Sequence, residues 1–464
     1  MIDYENLLKG FEKVIDLNHK IVLTFSLLGL LGCALSNAAN TVTGMITYAD
    51  FVNPIDLAIS NDGFRLLIAD NSANAVFQAD LNSNTVNPAL TFSVTYPIGI
   101  TVKPSSDIAY VIALVPNNIT VFNINTLTTI ATIPFGSSQI NAIAMAPDGS
   151  TLYVLNTNSG LSTAYVSLID TNTNIVTSPI TLTGGLQGQA DVIVSPDGST
   201  LYVANITSGT ITVVDIVTTG QSTITSLPPG YPLSGAAFLA ITPNGEKICV
   251  ANGSNNWTSQ VDLTVTPPSS AISTNSVNSI SFIALTPDGA TGYLSSQNGL
   301  VPSDSNIEIL DVASNTVTGN ISTGGFSITN PNGIAITANG SKGYIANGYN
   351  LSTSSIGYLS IFNTNLVPLP PTNLRARAQA NRFLVQTDLI NTITWQAPSS
   401  GIAPVSYKLY RDAGLTQLIA TVSASSVLQY QDHNRQYQTT YSYYLVSVSD
   451  SGALSQPVSV VIMD

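Results

Sequence analysis

Two aspartates, Asp56 and Asp191, hold the same place in two copies of an internal repeat, six residues before the turn aspartates Asp62 and Asp197. The five other copies carry Gly99, Ala142, Phe238, Phe282 and Gly333 there. If these positions begin strands that line one channel, Asp56 and Asp191 face each other across its mouth and could hold a cation. Otherwise they are two solvated strand starts. Histidine chemistry has little to work with, because the chain has two histidines, His19 and His433, and neither lies in the repeats. That removes the usual haem and copper ligation and most imidazole acid–base schemes, and leaves carboxylate-based hydrolysis open. The run Asp170-Thr171-Asn172-Thr173-Asn174 alternates oxygen-bearing side chains as a calcium loop does. It lacks the following glycine and the distant glutamate, and reads as a polar turn. Tyr231, Trp257 and Tyr349 stand in polar stretches with no evident core to join, and aromatics of that kind enrich binding surfaces. No cofactor is expected.

Those residues need a scaffold, and the repeat supplies it. Ile143–Asn156 is an apolar run, a Pro147-Asp148-Gly149 turn, and a second apolar run ending in Asn156. The unit returns with turns at Pro196-Asp197-Gly198, Pro243-Asn244-Gly245, Pro287-Asp288-Gly289 and Asn339-Gly340, after degenerate copies at Asn61-Asp62-Gly63 and Pro104-Ser105-Ser106. Each is read as two antiparallel strands around a tight turn. A third strand such as Val166–Asp170 and a fourth such as Ile175-Val176 follow. Seven copies at steps of 43 to 51 residues, built of short strands, predict a seven-bladed β-propeller.

The seventh copy ends near Asn363-Thr364-Asn365 without a fourth strand. Asn40-Thr41-Val42-Thr43-Gly44 repeats the fourth-strand text of copy six, Asn315-Thr316-Val317-Thr318-Gly319. An N-terminal strand is therefore expected to complete the last blade and close the ring, removing an open sheet edge. The Pro-Asp-Gly turns, the Tyr-Val-Ala-Asn strand ends and the Asp-Thr-Asn turns resemble the YVTN family of surface-layer-like propellers, over about residues 40–366. That resemblance implies the fold and a surface or adhesion-like setting. Copies one and two depart from it at Leu67-Ile68-Ala69-Asp70 and Tyr110-Val111-Ile112-Ala113.

From Pro371 the pattern changes to alternating strands around Trp395, Tyr407–Arg411 and Tyr441–Val448. The segment resembles a fibronectin type III module, with the opening Pro370-Pro371, Trp395 on the second strand and Tyr441 as its tyrosine-corner residue. At the other end, Ile21–Leu31 is an apolar stretch after Lys20, too short to span a bilayer and suited to a secretory signal. Cleavage before Ala39 and lipidation of Cys33 both remain open, as does a different start codon. The first would leave Cys249 as the one cysteine, expected in the core.

The chain is 464 residues long, only 8% charged, with a net charge of −13. The absence of basic runs after the leader argues against nucleic acid. The expected organisation is all-β: a signal peptide at 1–38, a propeller at 39–367 closed by its N-terminal strand, and a β-sandwich at 368–464. The expected role is an extracytoplasmic binding protein, not an enzyme, meeting a protein or glycan at the cell surface, without a transmembrane span in the mature chain. The alternatives are a lactonase-, lyase- or hydrolase-like enzyme acting in the channel and a structural surface-layer subunit. Length variation falls in the second-to-third loops and the inter-blade links, so ligand is expected on that face.

Overall fold

The computed structural model describes residues 40–464, apart from short segments at 159–162, 184–188, 206–208, 226–235, 253–256, 266–267, 274–278, 298–304, 349–356, 365–367, 369, 384–385, 399–402, 434, 450–453, 456 and 464. Seven antiparallel sheets span residues 54–93, 97–134, 139–181, 189–225, 236–273, 279–320 and 331–363. They are blades one to seven of a β-propeller. Their first strands adjoin one another in order, and that of blade seven returns to that of blade one. Blades one and two, whose sequences depart from the repeat, are complete four-stranded sheets. Their second strands are buried almost throughout, as Arg65–Asp70 and Ile108–Ala113 show, and that burial outweighs the altered strand ends. Among the described residues no helix is long and apolar enough to cross a membrane.

The turns show why the repeat needs its glycine. In the turns that keep the glycine it takes a positive φ, +73° at Gly63, +72° at Gly149, +74° at Gly198, +73° at Gly245 and +71° at Gly289, while in the glycine-free turn of blade two Ser105 takes +55°. The Gly149 N–H donates to the Ala146 carbonyl at 2.8 Å, and Asp148 Oδ1 accepts from the Ser150 N–H at 2.9 Å. An L side chain resists that conformation.

Blade interiors are matched in volume across the second and third strands. Facing pairs run Leu66–Ala79, Ala109–Phe122, Leu152–Ile169, Leu201–Val214, Ile248–Val261, Gly292–Leu310 and Gly343–Phe362. In blades one, two, six and seven a small residue on one strand is answered by a large one on the other, and in blades three to five two branched aliphatic residues share the space. Phe362 leaves no room opposite it. A Cβ on Gly343 would lie 2.1 Å from the Phe362 ring, which packs in a T-shaped contact with Tyr293, ring centroids 4.8 Å apart. Cys249 is fully buried among such residues, and burial pushes its thiol up to about 11.

The last blade is closed by the first strand of the chain. Thr41–Ile46 pairs antiparallel with Tyr358–Asn363, and the sheet is complete. The copy is faithful to the backbone. Asn40 adopts φ +50°, as Asn315 adopts +53° and Asn174 +57° before their fourth strands. The Asn40 N–H donates to the Asn363 carbonyl at 2.8 Å, the bond that the Asn174 N–H makes to the Asp170 carbonyl at 2.7 Å. Thr43 bulges out of the ladder and sends Oγ1 back to the Ile361 carbonyl, as Thr318 does to Ile309 and Thr177 to Leu168. A covalent turn in the other blades is thus rebuilt across two distant chain segments.

Residues 372–463 form a separate β-sandwich. Thr372–Phe383, Gln386–Gln396 and Gln429–Asp432 make one sheet, and Leu418–Ser423, Ser406–Tyr410, Thr440–Val448 and Val458–Met463 the other, each in that order. Ile393, Trp395, Tyr407, Leu409, Tyr443 and Leu445 fill the space between. Tyr441 closes the turn before its strand, its hydroxyl accepting from the Gln436 N–H at 2.9 Å.

Candidate functional site: the channel mouth and the long-loop face

Each first strand carries a bulge near its start, at the tier of Asp56 and Asp191. The register shifts between Pro54 and Asp56, Pro97 and Gly99, Ile140 and Ala142, Gln189 and Val192, Ala236 and Phe238, Ile280 and Phe282, and Pro331 and Ile334. A bulge frees a backbone N–H from the ladder and turns a side chain out of it. In blades one and four that freedom is used by a carboxylate. Asp56 Oδ1 accepts from the Leu57 N–H at 2.9 Å, and Oδ2 accepts from the Ile100 N–H of blade two at 2.9 Å. Asp191 repeats the arrangement with the Val192 N–H at 2.8 Å and the Leu239 N–H of blade five at 2.9 Å. Each carboxylate clamps its own blade to the next. The two are therefore not solvated strand starts, although both keep a partly accessible surface.

Glycines make the space around Asp56. A Cβ on Gly333 of blade seven would sit 2.8 Å from the Ile55 carbonyl oxygen and 2.9 Å from Asp56 Cα, and one on Gly99 would lie 3.9 Å from Asp56 Oδ2. Asn332 holds blade seven against this corner, its amide donating to the Pro54 carbonyl at 3.1 Å. On the far arc of the same tier, Phe238 and Phe282 meet with ring centroids 5.1 Å apart. The channel wall thus has a carboxylate on blade one, a carboxylate on blade four, small residues on blades two, three and seven, and an aromatic pair on blades five and six.

Burial drives both carboxyls up, to about 7 for Asp56 and about 6 for Asp191, against the pull of the two N–H donors on each. The charge of Asp191 adds a smaller upward push on Asp56. Carboxyls raised this far toward neutral pH suit proton donation or acceptance.

The propeller's four cationic side chains lie at the opposite end of the blades. Arg65 pairs with Asp62 at 2.5 Å, Lys103 reaches Asn172 Oδ1 at 3.1 Å, Lys247 reaches the Val312 carbonyl at 3.1 Å, and Lys342 begins its strand beside the Asn339-Gly340 turn. Among the described residues no cation stands on the long-loop face. The turn run starting at Asp170 is likewise a backbone device there: Asp170 Oδ1 accepts from the N–H groups of Asn172 at 2.8 Å and Thr173 at 3.1 Å.

Trp257 belongs to a strand, where the sequence reading had a loop. It opens Trp257–Asp262 directly opposite Asn252, a place that suits a strand-favouring aromatic. Tyr231, Tyr349 and Cys33 lie outside the described residues. The position opposite the strand-end Asn is aromatic in three blades: Tyr165 faces Asn156, Trp257 faces Asn252 and Tyr358 faces Asn347. That recurrence was open to sequence reasoning, because each aromatic stands five residues before Asp170, Asp262 or Asn363. Tyr165 lines a surface cleft of about 430 Å³ between blades two and three, with Phe135, Asn156, Asn158, Ser167 and Pro179. The strand-end Asn itself is structural: buried Asn156, Asn252 and Asn347 bond to Ser167, Ser259 and Ser360 of the third strand at 2.9, 2.9 and 3.0 Å. Blade one replaces it with buried Asp70, whose carboxylate accepts from the Val52, Asn53 and Ala73 N–H groups.

Residues 59–223 match the family model described as Lactonase, 7-bladed beta-propeller. The match spans parts of blades one to four, and takes in Asp191 but not Asp56. No curated protein sequence matches the chain. Among solved structures, the chain is similar to Kuenenia stuttgartiensis hydrazine synthase, at 20% identity and a TM-score of 0.55, over 69% of this chain and 97% of that one. At that identity the likeness speaks to the fold.

Proposed function

We propose that this chain is a binding protein that works outside the cytoplasm, and that its propeller takes a neutral or cationic ligand, a surface glycan or protein, on the long-loop face over the channel mouth. The observation that carries this reading is where the cations stand: they share the short-turn end with most of the propeller's acids, and among the described residues none reaches the channel mouth. Two carboxylates stand at the channel mouth, and all four cations gather at the short-turn end. An anionic ligand such as a nucleic acid or a phosphorylated sugar would find no counter-charge there. Trp257, Tyr231 and Tyr349 are proposed contact residues on the same face. Affinity for polysaccharide purified from the producing cell's surface should fall for Trp257→Ala and Tyr349→Ala and hold for Asp148→Lys and Asp197→Lys. Loss confined to the aspartate variants would place the ligand on the wrong face.

The strand order of the sandwich and the Tyr441–Gln436 bond support a fibronectin type III-like module serving as spacer or docking unit. The repeat text supports kinship with the YVTN propellers. Export rests on the apolar leader; an exported chain begins near Ala39 or at a lipidated Cys33, and an intact Met1 on protein held in the cytoplasm would refute it.

A second reading, an enzyme, is favoured by the Lactonase match together with Asp191, whose raised carboxyl suits a general base near neutral pH. The lack of a cation there among the described residues argues against anionic lactones. Hydrolysis of δ-gluconolactone above the uncatalysed rate, lost in Asp191→Asn, would establish it in place of simple binding.

A further inference from the structure

The cleft between blades two and three has an internal control in blade seven. There Tyr358, at the position equivalent to Tyr165, leans on the preceding inter-blade link and closes it. Its hydroxyl lies 3.0 Å from the Ser327 carbonyl oxygen and 3.1 Å from Thr329 Oγ1. Tyr165 faces the link after blade two in the same way but forms no such bond among the described residues, and the space beside it stays open. The outer strand contributes to the opening. In blade three it is split into Ile175–Val176 and Ile180–Thr181, and Pro179 in the interruption borders the cleft.

The lining is uncharged. It offers the rings of Tyr165 and Phe135, the pyrrolidine of Pro179, and the polar groups of Asn156, Asn158 and Ser167. Asn156 Oδ1 is taken by Ser167 Oγ at 2.9 Å, which leaves the Asn156 amide N–H₂ as a donor on the cleft wall. The volume, about 430 Å³, falls in the lower part of the range for small-molecule sites, about 300–1,000 Å³. Such a wall gives no reason to select an ion. It suits a compact neutral molecule with one C–H-rich face for an aromatic ring and a rim of hydroxyls that both donate and accept hydrogen bonds.

We propose that the cleft between blades two and three is a neutral carbohydrate subsite, in which Tyr165 stacks on one pyranose ring and the Asn156 amide reads its hydroxyls. The subsite rests on the reading that the long-loop face takes the ligand, and it gives that ligand a chemical class. It is separate from the channel mouth, because neither Asp56 nor Asp191 lines it.

The test uses the full chain and saturation-transfer NMR with the methyl glycosides of glucose, galactose, mannose and N-acetylglucosamine, and with a tetrasaccharide of whichever binds. At least one glycoside should receive saturation through its ring protons. Tyr165→Ala should weaken it about tenfold or more, Tyr165→Phe should largely keep it, and Asp197→Lys at the short-turn end should leave it unchanged. A gain for the tetrasaccharide points to a glycan chain as the source, and equal affinity to a free sugar. No transfer to any of the four glycosides, or transfer that survives Tyr165→Ala with the fold intact by circular dichroism, overturns the subsite. If transfer survives Tyr165→Ala but is lost in Asp56→Asn, the subsite fails while the reading of the face stands. If it is lost only in Asp148→Lys or Asp197→Lys, both fail.

Discussion

Asp56 and Asp191 show what one residue can do differently at a repeated place. Their position was readable by counting back from the turns. The use of their oxygens was not, because the partner N–H groups belong to Ile100 and Leu239 on the next blade, 44 and 48 residues away. The consequence is a pH dependence with a definite sign. Both carboxyls sit above the ordinary 3.8, at about 7 and about 6. The folded state therefore holds protons that the unfolded state has released, and their contribution is full below 3.8 and lost as pH rises through about 6 to 7. The turn aspartates act the other way. Backbone N–H groups hold Asp80, Asp148 and Asp215 below the ordinary value, so their contribution is present above it and lost in acid. The melting temperature should peak in mildly acidic buffer, between about pH 4 and 6. Asp56→Asn combined with Asp191→Asn should flatten the decline from pH 5 to 8. An unchanged slope in the double variant would show that these two carboxyls titrate normally.

At the scale of the element, the facing pairs explain why no single residue type defines the blade interior. Gly343 looks out of place in a strand until Phe362 is seen across from it. Gly343→Ala should cost about 1–3 kcal/mol through overpacking. Gly343→Leu combined with Phe362→Ala recreates the Leu66–Ala79 pair of blade one and should recover much of the stability lost by Gly343→Leu alone, measured by urea denaturation. Failure of the double variant to recover would mean that Phe362 matters for Tyr293 more than for its own blade. Turn chemistry was legible because glycine and proline act locally. The split outer strand of blade three was not, since nothing in Ile175–Thr181 alone says where Tyr165 and Val166 will find their partners. Trp257 was misplaced for the same reason: the polar residues before it read as loop, while its strand is set by pairing with Asn252.

At the scale of the molecule, the ring depends on a strand that belongs to the last blade in space and the first in sequence. This was visible in the text because Asn40–Gly44 copies Asn315–Gly319, and the structure repeats it down to the left-handed asparagine and the threonine bulge. Removing Asn40–Tyr48 exposes the edge strand Tyr358–Asn363 and discards Val42 and Ile46, each buried to 1% exposure and each contributing about 1.5–3 kcal/mol. The truncated chain should aggregate or melt far below the full one, and equal melting temperatures would contradict the closure.

The same ring separates two ends that differ in the placement of cations, in loop length and in the presence of a cleft, and the central claim is that ligand meets only one of them. Hydrogen–deuterium exchange of the full chain, with and without polysaccharide purified from the surface of the producing cell, tests this most directly. The account predicts slowed exchange in segments 52–57, 134–140, 156–165 and 189–192, with the turns at 61–64, 147–150 and 196–199 unchanged. Protection confined to those turns would contradict it.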